Sequence, residues 1–267
     1  MSAATIAPPA PTTGHANAFT NTMTIARRNL LHIKSDPEQI VGMTIQPLMF
    51  LVLFVFVFGG AIAGSSQQYL QFALPGIIVQ GIAFTPFTTA LGLNVDFQRG
   101  LIDRFRSLPI ARSSVIAGRI VADTVRIIWG EIILIAFGLL LGFRYGGGFA
   151  GAIGAFLLVM AFGISLCWPM AFIGITAKTP EAVNTWGFLI ILPLTFASSV
   201  FVSPSSMPGW LQPIVNLNPI TKVVNATRAL MLGVGPVAKP VFQSIIWMIV
   251  IVGVFAPLAV AKYRRRV

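Results

Sequence analysis

Few side chains in this sequence of 267 residues are equipped for chemistry, and those few are widely spaced. His15 and His32 are the two histidines, and both precede the first long apolar run. Cys167 is the single cysteine, which excludes an intrachain disulfide and any multi-cysteine metal site. Zinc sites, histidine-based acid–base catalysis and haem ligation by paired histidines therefore lack their ligands. No glycine-rich loop is followed by Lys-Ser/Thr, so the chain has no ordinary means of cradling nucleotide phosphates. Glu131 is the one titratable group placed deep in an apolar stretch. It reads equally as a counter-charge, for a cationic substrate or an internal partner, and as a helix-end carboxylate reaching polar neighbours. Thr85, Thr88, Thr89 and Asn94, with Asn184, Thr195 and Ser198, are the remaining candidates for intramembrane polar or substrate contacts. Polar residues at such depth more often bond neighbouring helices than touch a substrate. The chemistry on offer is non-covalent recognition rather than bond making.

The elements that must carry these residues are membrane helices. Hydrophobic residues make up 56% of the chain and charged residues 9%, with mean hydropathy at +0.86. An ordinary soluble domain has about a quarter charged residues, so a soluble globule is excluded, and disorder needs the opposite balance. A bilayer core takes ~20 mostly apolar residues per helix. Five runs qualify: Ile40–Ala63, Tyr69–Val95 (with Pro75 and Pro86 as bends), Phe149–Ala177, Trp186–Val202 and Val241–Ala261. A sixth, Thr124–Phe143, carries Arg126 and Glu131. A charge at the bilayer centre costs at least ~2.5–3.5 kcal/mol on insertion scales. Arg126 is near the helix end and can snorkel to the interface, whereas Glu131 is ~7.5 Å further in. Without this span the flanking segments would be joined with the wrong polarity.

Charge placement supports six spans. Thirteen of the eighteen basic residues fall on one side: Arg27, Arg28, Lys34, Arg99, Arg104, Arg106, Arg112, Arg119, Lys178, Lys262 and Arg264 to Arg266. Arg144, Lys222, Arg228 and Lys239 are on the other. Both termini are therefore expected in the cytoplasm. The net charge of +11 follows from topology, not from nucleic-acid binding.

Outside the spans, residues 1–18 read as a disordered Ala/Pro/Thr tail with no cleavable signal peptide. Residues 19–36 read as a basic amphipathic helix lying on the inner leaflet. Phe19, Met23, Ala26, Leu30 and Ile33 fall within ~80° of one another. Asp36-Pro37 stops it. The outer segment 203–240 predicts two short helices before the last span. Trp210 is an interfacial anchor, Asn218-Pro219 starts the second helix, and Gly233 and Gly235 end it. Such a pair forms a lid or a re-entrant hairpin.

The cytoplasmic segment 96–123 is the most informative. Five arginines and three aspartates crowd a chain otherwise poor in charge. Gly100 to Pro109 reads as a short helix, and Ser113 or Ser114 caps the next. Arg119–Asp123 and Asp123–Arg126 then form a charge ladder. The positive-inside rule explains the arginines but not Phe105 and Leu108 among them. Apolar anchors ringed by arginine fit a protein-docking surface.

The stretch Gln98-Arg99-Gly100-Leu101-Ile102-Asp103-Arg104-Phe105-Arg106-Ser107-Leu108-Pro109, followed by Arg112 and Gly118-Arg119, resembles the loop of ABC-2 type permeases. It is closest to the daunorubicin-resistance membrane-subunit (DrrB-like) branch. The amphipathic 19–36 segment, Thr179-Pro180-Glu181-Ala182-Val183, Ser206-Met207-Pro208-Gly209-Trp210-Leu211 and Asn218-Pro219 are similar to recurrent stretches of that branch. The resemblance runs from about Phe19 to the C-terminus.

It implies an all-α integral membrane protein of the ABC-2 (type V exporter) fold. This has an interfacial helix, a transmembrane domain over residues 37–267 with six spans, and short re-entrant outer helices before the last. By position, Gly100, Asp103, Arg104, Phe105, Arg106, Leu108 and Pro109 would form the coupling helix that docks on a separate cytoplasmic ATPase. That subunit would hold ATP and Mg, with no cofactor bound by this chain. The other partners implied are a second permease copy or paralogue and membrane lipids. The expected function is export of an amphipathic drug or lipid-like compound across the plasma membrane. Export of a polysaccharide or lipid-linked glycan is the alternative within the family. A passive channel, secondary carrier or scaffold accounts less well for the docking-like loop and the bent spans.

Overall fold

Pro37, read from the sequence as a helix stop, begins the first long helix of the computed structural model. The structure describes residues 37–99 and 112–266, together with residues 23, 24 and 27, and all regular structure among them is helical. The 1–18 tail, most of the 19–36 helix and the proposed coupling helix, with Gly100, Asp103, Arg104, Phe105, Arg106, Leu108 and Pro109, lie outside the described residues.

In chain order, α1 is Pro37–Val52, which runs through a π-helical stretch, Leu53–Phe58, into α2, Gly59–Ala63. Gly64 ends it at φ 75°, a conformation glycine adopts without a Cβ penalty. Ser65 then caps α3, Ser66–Phe84, by accepting a hydrogen bond from the Gln68 N–H. A break at Thr85-Pro86 separates α3 from α4, Phe87–Gln98. Then follow α5, Arg112–Leu140; α6, Gly148–Thr176; α7, Pro180–Phe196; the short α8, Gln212–Leu217; α9, Pro219–Leu232; and α10, Ala238–Arg266.

Four of these helical stretches are long and apolar enough to cross a membrane: Thr44–Ala63, Ser66–Gln98, Gly148–Thr176 and Ala238–Arg265. They match four of the six expected spans. The remaining two, α5 and α7, are of different make. At 29 residues α5 is as long as α6, but Arg119, Asp123, Arg126 and Glu131 dilute its hydropathy. At 17 residues α7 is short.

The α7 boundaries also differ from the Trp186–Val202 run expected from hydropathy. Thr179 caps the helix, accepting from the Ala182 N–H, and Pro180 occupies its first position. Start signals thus override the apolar run, and residues 197–202 leave the helix as bends. Likewise α5 is already helical at Arg112, so neither Ser113 nor Ser114 caps it.

The core is built around α3, whose Tyr69, Leu74, Ile78 and Ile82 are almost wholly buried among α5, α6 and α9. Close approach is permitted by glycine. A Cβ on Gly76 would lie 2.5 Å from the Val200 carbonyl oxygen, and one on Gly174 2.3 Å from that of Ala90. The segment from Ser199 to Arg228 is bolted to α3 by polar bonds. Tyr69 donates to the Phe201 carbonyl (2.9 Å), and Arg228 stacks over the Phe72 ring at 3.9 Å while donating to the carbonyls of Phe72 and Ser199. Asn218 begins α9 as expected, accepting from the Ile220 N–H. Its amide donates back to the Leu194 and Ala197 carbonyls at the end of α7. Trp210 is 72% exposed, in keeping with an interfacial position.

Candidate functional site

The break at Thr85-Pro86 opens α3–α4 where α1, α5 and α7 approach it, and a cavity of about 360 Å³ forms there. Its wall is aromatic: Phe50 from α1, Phe84 and Phe87 flanking the break, and Phe188 and Phe196 from α7. Phe84, Phe87 and Phe188 contact one another, with Phe87 and Phe188 centroids 5.0 Å apart. Polar groups reach the cavity at few points, namely Gln46, Gln80, Thr85, Thr88, Arg126 and Asn184. Such a site, apolar with a handful of oriented polar groups, is the usual form of a small-molecule pocket.

Of the residues singled out from the sequence, Thr88 and Asn184 line this cavity, as does Thr85. Asn94 does not. Its amide donates to the Gly174 (3.1 Å) and Ala177 (2.9 Å) carbonyls, closing the last turn of α6, with Gln98 doing the same for the Lys178 carbonyl. Thr195 is fully buried and bonds back to the Ile191 carbonyl within α7. Glu131 is 1% exposed and does not line the cavity, although its neighbours Gly130 and Leu134 do. Among the described residues it forms neither an ion pair nor a hydrogen bond, so the internal-partner and polar-neighbour readings do not describe it. Cys167 is fully buried with its Sγ near the Gly163 carbonyl, a small core hydrophobe as expected.

A polar cluster joins the cavity to the C-terminal part of α4 and the N-terminal half of α5. Asp123 is fully buried and is paired with Arg126 and bonded by the Thr89 hydroxyl. Thr88 Oγ1 lies 3.2 Å from Asp123 Oδ1 and 2.9 Å from the Thr85 carbonyl, and accepts from Arg126 at 3.3 Å. Arg119 donates to the Thr88 carbonyl at 2.9 Å and pairs with Asp96 at 3.6 Å. The expected Asp123–Arg126 rung is present. The other rung is replaced, because Arg119 crosses to α4 instead of pairing with Asp123. Arg126 does not snorkel either: at 5% exposure it turns inward, because a buried carboxylate and a threonine await it.

Arg119 reaches α4 because Gly92 has no side chain. A Cβ there would lie 1.5 Å from the guanidinium Nη2. Gln80 and the aromatic wall were not singled out from the sequence, since helices apolar on all sides carry no polar stripe to tell one face from another. Among the described residues, no three His, Cys, Asp or Glu side chains group so as to hold a metal ion.

Comparison with known proteins agrees with this architecture. A sequence model of the family described as ABC-2 type transporter matches residues 20–232. The daunorubicin resistance ABC transporter permease protein DrrB1 of Streptomyces coeruleorubidus is 38% identical over 255 residues, covering 94% of this chain and 88% of that protein. A probable doxorubicin resistance ABC transporter permease protein, DrrC of Mycobacterium tuberculosis, is 27% identical over 91% of this chain and 88% of its own length. The putative transport permease ycf38 of Cyanophora paradoxa is 27% identical over 77% and 72%. The chain is therefore a multi-pass membrane protein of the ABC-2 type transporter family, on the branch of the daunorubicin-resistance permeases.

Proposed function

We propose that this chain is the membrane-spanning half of an ATP-binding cassette exporter that moves an amphipathic drug or lipid-like compound outward across the plasma membrane. The observation that carries the reading is the phenylalanine-walled cavity between α1, α3–α4, α5 and α7, with its few polar groups. A compound with a flat apolar body and a polar edge suits such a wall. The names of DrrB1 and DrrC, which cite daunorubicin and doxorubicin resistance, favour the same substrate class.

On this reading α5 and α7 complete six spans, α8 and α9 form the re-entrant outer pair, and both termini face the cytoplasm. The chain is a transport subunit rather than an enzyme. A separate ATPase subunit, holding ATP and Mg, docks on the 100–109 segment, and a second permease copy or paralogue completes the pathway. ATP favours one arrangement of the two membrane halves through its differential docking energy, and hydrolysis releases it. Substrate enters from the inner leaflet or cytoplasm and leaves outside.

The test is ATPase activity of this chain reconstituted with its ATPase subunit while amphipathic drugs and lipids are titrated in. Stimulation that disappears in Phe105→Ala or Arg104→Glu supports both the docking segment and the substrate class. A complex whose rate no compound alters sinks the drug assignment, and failure to associate sinks the exporter reading.

A further inference from the structure

Gln80 is the anomaly of the cavity. It lies on α3 at 4% exposure and lines the cavity. Among the described residues its side chain makes no hydrogen bond, and its Oε1 is fully enclosed without a partner. Other buried amides in this protein are used: Asn94 closes α6 and Asn218 ties α9 to α7. An amide kept from water without a partner is destabilising, and a leucine at this position would fill the same wall without that cost. The surroundings offer no relief. Phe50, Phe84 and Phe188 are apolar, and the Thr85 hydroxyl is directed to the Gly81 carbonyl.

Resting on the drug-pocket reading above, we infer that Gln80 is a specificity-determining residue. It takes a ligand hydroxyl presented on the edge of an aromatic, uncharged amphipathic body. A hydroxyl fits whichever way the amide turns about its last torsion, since it donates to Oε1 or accepts from Nε2. Charge argues for a neutral group there. Among the described residues Arg126 is the sole charged one lining the cavity, and its charge is matched by buried Asp123. Among the described residues no carboxylate lines the cavity to hold a ligand ammonium. The aromatic wall supplies stacking that any flat compound shares, so discrimination falls to the amide.

The experiment uses the full permease with its ATPase subunit in lipid nanodiscs and two matched probes, 1-pyrenebutanol and 1-butylpyrene. Binding is read as energy transfer from tryptophan. Trp129, whose indole donates to Thr44 of α1, is a donor beside the cavity. Partition of a probe into lipid is common to wild type and variant and cancels in their ratio. Gln80→Met keeps the length of the side chain and removes the amide, and copurification of the ATPase reports that the variant is assembled. The expected result is about a tenfold loss of 1-pyrenebutanol affinity, with 1-butylpyrene changed less than about twofold. Equal losses for both probes, or none for either, overturn the inference, because the amide then discriminates nothing. If wild type binds neither probe although the complex assembles, the drug-pocket reading itself falls. That outcome is separate from a Gln80-specific failure.

Discussion

The buried carboxylate of Asp123 makes the sharpest single-residue prediction. Removing one partner of a buried pair leaves the other uncompensated, at a cost of about 3–5 kcal/mol. Asp123→Asn should lower the thermal midpoint of the purified permease by several degrees. Asp123→Asn with Arg126→Met, which removes both charges, should recover most of the loss. A double variant no better than the single would show that the pair contributes nothing as a pair. Gly92→Ala makes a finer cut, because the added Cβ expels Arg119 from the Thr88 carbonyl without touching the cavity. It should leave probe affinity within about twofold and uncouple it from ATPase stimulation, since on the proposed function the cluster shared by α4 and α5 carries the coupling from the cavity. Full stimulation in Gly92→Ala would refute that role. At this scale the sequence was partly legible. Thr88, Asn184 and the Asp123–Arg126 rung could be picked out because charge and hydroxyl stand out against apolar helices. Asn94 and Thr195 stand out equally, yet Asn94 bonds backbone and Gln98 and Thr195 bonds backbone alone, and Glu131 bonds nothing described.

At the scale of elements, caps decided the boundaries that hydropathy misplaced. The Glu181 carboxylate is held below its ordinary value of 4.5, first by its own backbone N–H and then by the Thr179 hydroxyl. A depressed pKa stabilises the start of α7 at pH above 4.5, and that contribution is lost as pH falls through the lowered value. Hydrogen exchange in the first turn of α7 should therefore quicken as pH falls through that lowered value. The pH dependence should vanish in Glu181→Gln, and its persistence there would place the titrating group elsewhere. Asn218 separates two jobs. Asn218→Ala removes the cap and both bonds to α7, costing about 2 kcal/mol or more, whereas Asn218→Asp keeps the cap and loses the bonds to α7. Equal losses in the two variants, by chemical denaturation, would show that the cap adds nothing. The Asn218-Pro219 start and Gly233 stop were readable because they are local backbone chemistry. The α7 start was missed because an apolar run says where a membrane can be, not where a helix begins. The aromatic wall was unreadable because Phe50, Phe84, Phe87 and Phe188 converge only through packing of four separate segments.

For the whole molecule, the proposed division of labour assigns docking of the ATPase to residues 100–109, between α4 and α5. Reversing charge at Arg104 or Arg106 should reduce copurification of the ATPase subunit severalfold while the permease still inserts. Unchanged copurification would put the docking surface elsewhere. The polar cluster between α4 and α5 has a further bearing, on biogenesis. Arg119, Asp123 and Arg126 make α5 a poor substrate for the insertion machinery by itself, at about 2.5–3.5 kcal/mol for each charge near the centre. Their partners Thr88, Thr89 and Asp96 all belong to α4, which leaves the ribosome first. The two helices therefore enter the bilayer as one hairpin, held at the translocon until their charges have met. In glycosylation mapping, a chain whose α4 carries Thr88→Val, Thr89→Val and Asp96→Ala should leave α5 in the cytosol in a measurable fraction of molecules. Every later loop in those molecules would then be mapped to the opposite side.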